Sequence, residues 1–171
     1  MDDNNIYKSP LPYPPIDVSC ENSLYADIIQ QNFAGAVSEF SAVSQYVNHE
    51  LRLNYEYEEI SKALHCISIV EMHHLEILGL LIIKLGGNPG YWSIKKRKRI
   101  YWSPNFVNYG EIAEEMIEFD IRDEYAAIRQ YSDSIKIIKD TKITDIIKRI
   151  IIDEKIHIEI LTNLKRKYLY K

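Results

Sequence analysis

The chain repeats itself. The segment Glu39-Phe-Ser-Ala42-Val-Ser-Gln45-Tyr46 is matched 85 residues later by Glu124-Tyr-Ala-Ala127-Ile-Arg-Gln130-Tyr131. The segment Glu71-Met-His-His74-Leu-Glu76-Ile77-Leu78 is matched 83 residues later by Glu154-Lys-Ile-His157-Ile-Glu159-Ile160-Leu161. Nearly equal offsets make the chain two duplicated halves. Apolar residues recur at helical spacing around all four segments, which predicts four helices: A over about 24–53, B over about 57–85, C over about 108–140 and D over about 144–168.

Each repeated acid falls on the stripe that would otherwise be core. On helix B that face carries Leu64, Ile67, Glu71, His74, Leu78, Ile82 and Leu85, and on helix D it carries Ile143, Ile147, Ile150, Glu154, His157, Leu161 and Leu164. Helix C presents Ile117, Ile121, Glu124, Ile128, Tyr131, Ile135 and Ile138; helix A presents Ile28, Glu39, Val43 and Tyr46. Four glutamates are thereby driven into one apolar interior. An unpaired buried carboxylate costs several kcal/mol or takes up a proton, and four together repel one another. Two divalent cations would balance Glu39, Glu71, Glu124 and Glu154, and the i, i+3 spacing sets His74 and His157 beside their glutamates.

The connections predict the topology. Gly86, Gly87, Asn88, Pro89 and Gly90 stop helix B, since glycine accepts left-handed backbone and proline cannot continue a helix. Residues 87–106 lack helical periodicity. At about 3.3 Å per residue they reach about 66 Å, whereas a helix of some 30 residues is about 45 Å long. The link can cross the bundle end to end, so the expected fold is all-α: a four-helix bundle with one long crossover between helices B and C. Thr141 and Lys142 are expected to form the turn between helices C and D. Pro10, Pro12, Pro14 and Pro15 make residues 1–22 an extended arm draped over a bundle domain of residues 23–171.

This pattern resembles the ferritin-like superfamily, in particular rubrerythrins and bacterioferritins, with manganese-catalase-like features in the Gly-Gly-Asn-Pro and aromatic segment after helix B. The resemblance covers residues 24–168 and implies two bound metal ions, iron first or else manganese. It implies that Glu71 and Glu154 bridge the ions and that Glu39, Glu124, His74 and His157 are terminal ligands. Two departures stand out. Rubrerythrins commonly carry a second helix C glutamate three residues after the first, and here that position is Ala127. The chain also has no cysteine-rich rubredoxin domain, so an external electron-donor protein is expected for any reduction.

Three outer residues are expected to act on these ligands. Asp153 should accept the second ring N–H of His74; Val70 stands in the matching place before Glu71, so the halves should differ here. Tyr46 and Tyr131 each lie two turns beyond a glutamate, about 10 Å along the axis. Their hydroxyls should therefore cross the bundle, Tyr46 to Glu124 and Tyr131 to Glu39.

The remaining features read as ordinary. His73 points away from Glu71, and His49 and His65 have no counterpart in the second half; all three are taken as solvated or structural. The basic run Lys95 to Arg99 reads as a solvated surface. A net charge of −4 points to neither nucleic acid nor membrane. Cys20 and Cys66 form no CxxC pair and read as inert thiols in a reducing cytoplasm. The longest apolar stretch, Ile77 to Leu85, is interrupted by Lys84 and is short of the roughly 20 residues of a membrane span.

The function expected on this basis is peroxide reduction or dismutation, or O2 activation, at a dimetal site in a homo-oligomer. Iron oxidation and storage in a hollow shell is the alternative, and a metal-stabilised scaffold without turnover is the third.

Overall fold

The computed structural model describes residues 6–96 and 98–169. Five helical segments form the bundle: α1 (Ser23–Ala34), α2 (Glu39–Leu53), α3 (Glu58–Lys84), α4 (Ala113–Ile137) and α5 (Thr141–Tyr168). The single helix A expected over about 24–53 is in fact α1 and α2. Gly35 leaves the helix in an extended conformation, and Ser38 restarts it by accepting the Ser41 amide at 3.2 Å. Glycine is a poor helix interior residue and serine a favoured N-cap, which explains the interruption. Its consequence is local to the site: Glu39 becomes the first residue of α2, next to the positive end of the helix dipole.

The other boundaries shift for similar reasons. Gly86 takes φ 81 just beyond α3, and the Gly87 amide returns to the Ile82 carbonyl at 2.8 Å. Helix α5 begins at Thr141, because Asp140 caps it through the Lys142 amide at 3.1 Å. Thr141 and Lys142 are therefore the first turn of α5, and the link between α4 and α5 is residues 138–140. Helix α4 ends at Ile137 and starts at Ala113, later than expected.

The crossover also carries structure that helical periodicity does not disclose. Strands β1 (Trp92–Lys95) and β2 (Lys98–Tyr101) pair antiparallel with Trp92 opposite Tyr101, and Pro104–Phe106 forms one turn of 3-10 helix. Aromatic and β-branched residues favour strands, and among the described residues two four-residue strands form, too short for a periodic signal. The hairpin is pinned to α1 by Gln30, whose Nε2 donates to the Gly90 and Trp92 carbonyls. Trp102 Nε1 donates to Ser41 Oγ at 3.0 Å, and the Asn108 amide donates to Gln45 Oε1 at 2.8 Å. Lys95, Lys96, Lys98 and Arg99 are exposed, with Arg99 stacked over Trp92; Arg97 of this run lies outside the described residues.

Helix α2 packs along α3 and α4 along α5, reproducing the sequence halves. Two apolar clusters fill the interior. One contains Ile29, Leu78, Leu81, Tyr131, Ile147 and Ile150; the other contains Tyr46, Ile60, Leu64, Ile117, Leu161 and Leu164. Val43 and Ile28, expected on the helix A stripe, are only half-buried. Gln45 and His49 of α2 are buried instead. Helix α3 has the length and apolarity to cross a bilayer, more than its longest uninterrupted apolar run suggests. In the fold most of its apolar residues line the interior against α1, α2 and α5.

Candidate metal centre

Between the two apolar clusters sit six polar side chains, all at most 4% exposed: Glu39 from α2, Glu71 and His74 from α3, Glu124 from α4, and Glu154 and His157 from α5. Their donor atoms form two groups. Glu39, Glu71, His74 and Glu154 make one, and Glu71, Glu124, Glu154 and His157 the other, with the offered atoms of each within 4.8 Å of one another. Glu71 and Glu154 belong to both. Glu71 turns Oε2 to His74 Nδ1 at 3.0 Å and Oε1 to His157 Nδ1 at 2.8 Å. Glu154 turns Oε1 to His74 Nδ1 at 3.4 Å and Oε2 to His157 Nδ1 at 3.2 Å. Glu39 approaches only His74, at 3.9 Å, and Glu124 only His157, at 3.3 Å.

The electrostatics are those of a cation site. Burial and the neighbouring Glu71 and Glu154 carboxylates push Glu39 well above the ordinary carboxylate range; burial, Glu154 and Glu71 do the same to Glu124. Although burial opposes charge on Glu71, His157 and His74 hold it well below that range. Both imidazoles are driven up, against the effect of burial, by the carboxylates around them. Although Glu71 Oε1 and His157 Nδ1 lie 2.8 Å apart, neither they nor the two Glu154 oxygens are aligned in a hydrogen bond, and all four atoms are buried. Orphaned atoms of this kind need a positive partner. The residues fit a pair of divalent cations, one at each group.

The outer residues are arranged around these six. Tyr46 Oη donates to Glu124 and Tyr131 Oη donates to Glu39, each across the bundle. Burial and the adjoining carboxylates push both phenols well above their ordinary value, so both are held as donors. Asp153 Oδ2 lies 3.2 Å from His74 Nε2. Burial would raise Asp153, but His74, Tyr13, the Ser9 amide and Arg149 together hold it well below the usual carboxylate range. His157 has no such acid; its Nε2 lies 3.0 Å from the Tyr7 carbonyl. The halves are therefore asymmetric behind their histidines.

Several contributors left no repeat for the sequence to reveal. Tyr13 Oη is 2.5 Å from Asp153 Oδ2 and 3.1 Å from His74 Nε2, and burial with Asp153 pushes its hydroxyl up to about 12. His49 is fully buried, its Nδ1 2.9 Å from Asp120 and its Nε2 2.8 Å from the Asn108 carbonyl. Asp120 is buried one turn before Glu124, and Gln45 Nε2 donates to it at 2.9 Å. The only legible clue was a polar residue on a core stripe. His65 and His73 are exposed and pair with Glu50 and Glu76. A cavity of about 290 Å³ opens between α2, α4 and the crossover, reaches Glu39, Glu71, Glu124 and Glu154, and is walled by Ala42 and Ala127.

The two packed helix pairs, α2 with α3 and α4 with α5, around a buried Glu4His2 cluster define a ferritin-like bundle with an interior able to hold metal ions. The Rubrerythrin family model matches residues 28–165, and the chain belongs to that family. The manganese catalase KatB from Anabaena superposes with a TM-score of 0.83 at 20% identity, over 93% of this chain and 78% of that one. The bacterioferritin of Desulfovibrio desulfuricans, described with a diiron site, gives 0.71 at 26% identity, over 86% and 82%. Mycobacterium tuberculosis bacterioferritin BfrA gives 0.70 at 23% identity, over 86% and 89%. No curated protein matches the sequence.

Proposed function

We propose that this protein is a dimetal oxidoreductase that holds two iron or manganese ions, iron first, and reduces or dismutates hydrogen peroxide. The observation that carries the reading is the sharing of Glu71 and Glu154 between two donor groups. On it, Glu71 and Glu154 bridge, Glu39 and His74 complete one position, and Glu124 and His157 complete the other. An oxygen-rich set with one imidazole per ion suits iron or manganese better than the nitrogen and sulfur set of structural zinc. The manganese of the Anabaena relative and the diiron site of the Desulfovibrio relative support the same pair of candidates.

A bound pair of such ions supplies two one-electron M(II)/M(III) changes, matching the two electrons needed to cleave one peroxide bond. The chain does the rest. Tyr46 and Tyr131 fix the orientation of the terminal carboxylates, and Asp153 holds His74 with Nδ1 inward. The apolar clusters on either side exclude bulk water, while the cavity beside Ala42 and Ala127 admits a small molecule. Dismutation turns two peroxides into two waters and O2 with no outside electrons. Net reduction to water takes two electrons and two protons per peroxide, and the two electrons come from an external donor protein. A homo-oligomer in the cytoplasm, with residues 6–22 as an arm on the bundle, completes the reading; residues 1–5 of the expected arm lie outside the described residues.

The likeness to bacterioferritins supports a second reading, ferroxidase and iron storage, which requires a hollow shell of many subunits. Metal analysis of protein purified without added metal, sizing in solution and anaerobic peroxide consumption separate the two. A small oligomer with two ions per chain and O2 release or donor-dependent peroxide loss is expected. A large shell that mineralises iron and leaves peroxide untouched overturns the first reading.

A further inference from the structure

The N-terminal segment reaches the back of both histidines of the site. The Tyr7 carbonyl lies 3.0 Å from His157 Nε2, and Tyr13 Oη and Asp153 lie 3.1 and 3.2 Å from His74 Nε2. A carbonyl oxygen can only accept, so His157 Nε2 carries a proton, and Nδ1, which faces Glu71, Glu154 and Glu124, is the nitrogen left to offer its lone pair to a cation. At the other histidine the Tyr13 hydroxyl donates to Asp153, whose second oxygen takes the Ser9 amide at 2.7 Å. That carboxylate is then fixed to receive His74 Nε2–H, which leaves His74 Nδ1 facing Glu71 and Glu154.

The same segment is locked to the bundle by Arg149. Its Nε donates to the Leu11 carbonyl and its Nη2 to the Ser9 carbonyl, each at 2.8 Å, while Nη1 pairs with Asp153 at 2.7 Å. The guanidinium lies 4.2 Å over the Tyr13 ring. Tyr7, Ser9 and Arg149 are buried and Tyr13 is half-buried. A segment that bonds a buried arginine, a buried aspartate and two buried imidazoles is built into the site rather than laid over it.

We infer that residues 7–13 are a clasp that sets the tautomer and ring orientation of both histidines, so that docking of the segment and uptake of metal reinforce each other. Tyr13 is its positioning residue at His74, and the Tyr7 carbonyl serves His157. The inference rests on the proposed roles of His74 and His157 as ligands. Coupling between binding events is reciprocal, so metal uptake must tighten the clasp as much as the clasp favours metal.

The test uses the full-length, metal-free protein titrated with Mn(II) alone, read by electron paramagnetic resonance and by amide hydrogen exchange in the segment. Mn(II) is expected to slow exchange at the Ser9 amide. Tyr13→Phe keeps the ring over Arg149 and loses only the hydroxyl, and it is expected to weaken uptake of one ion by about 10–100-fold. The spectrum at one equivalent then shows an isolated ion in place of a coupled pair, with the metal-free melting temperature little changed. Uptake of both ions by Tyr13→Phe at wild-type affinity, with segment exchange unaffected by Mn(II) in the wild type, overturns the clasp and leaves the metal site standing. Failure of the wild type to take up Mn(II) at all overturns the dimetal reading, and the clasp with it.

Discussion

Glu71 and Glu154 face the same two imidazoles from different helices, each with one oxygen toward His74 and the other toward His157. No other pair in the site does this. Glu71→Ala or Glu154→Ala is therefore expected to remove both ions, because each substitution takes a donor from both groups. Glu39→Ala takes a donor only from the group of His74 and should leave about one ion per chain. Metal content per chain after dialysis checks this; equal losses in all three variants contradict the sharing.

Tyr46 donates to Glu124 and Tyr131 to Glu39. Removing a donor from a buried charged acceptor costs about 1–3 kcal/mol. Tyr46→Phe should weaken the position of Glu124 and His157, and Tyr131→Phe that of Glu39 and His74, with peroxide turnover falling in both. Calorimetric Mn(II) titration of the two variants measures it, and unchanged affinity and turnover in both would remove the tyrosines from the mechanism.

The cavity wall offers a separate test of access. Ala42 and Ala127 occupy matching places in the two halves and border the cavity that leads to the glutamates. Ala127→Leu should fill part of this space, lower kcat/KM for peroxide by on the order of tenfold and leave metal content at the wild-type level. Unaltered turnover with bound metals would place the route elsewhere.

The buried Asp120 and His49 pair gives a pH signature. Burial raises Asp120 above its ordinary value of 3.8, against the lowering effect of His49. An acid whose folded value is raised contributes stability that is fully present below the unfolded value and fades as pH rises through the folded one. Asp120→Asn keeps an acceptor for His49 and cannot ionise. The stability of the wild type relative to Asp120→Asn should accordingly fall as pH rises from about 3.8, by at most about 1.4 kcal/mol per unit. Urea unfolding of both metal-free proteins across that range gives the difference, and a flat difference contradicts the assignment.

The sequence by itself determined the bundle, its long crossover and the six residues at its centre. Glu39, Glu71, His74, Glu124, Glu154 and His157 break an apolar stripe at the same place in each half, and a duplicated violation of helical patterning survives in one dimension. The Asp153 and tyrosine contacts were also legible, since register and helix rise place them. Tertiary structure decided what has no period. The break at Gly35 depends on a local competition between helix and cap at Ser38. The hairpin of β1 and β2 depends on Gln30 receiving it. His49 and Asp120 come together only because α2 and α4 are neighbours. Tyr7, Ser9 and Tyr13 lie on a segment with no helical signal of their own. They meet His157, Asp153 and His74 because the packing of α3 and α5 presents two imidazole nitrogens and a carboxylate to the segment.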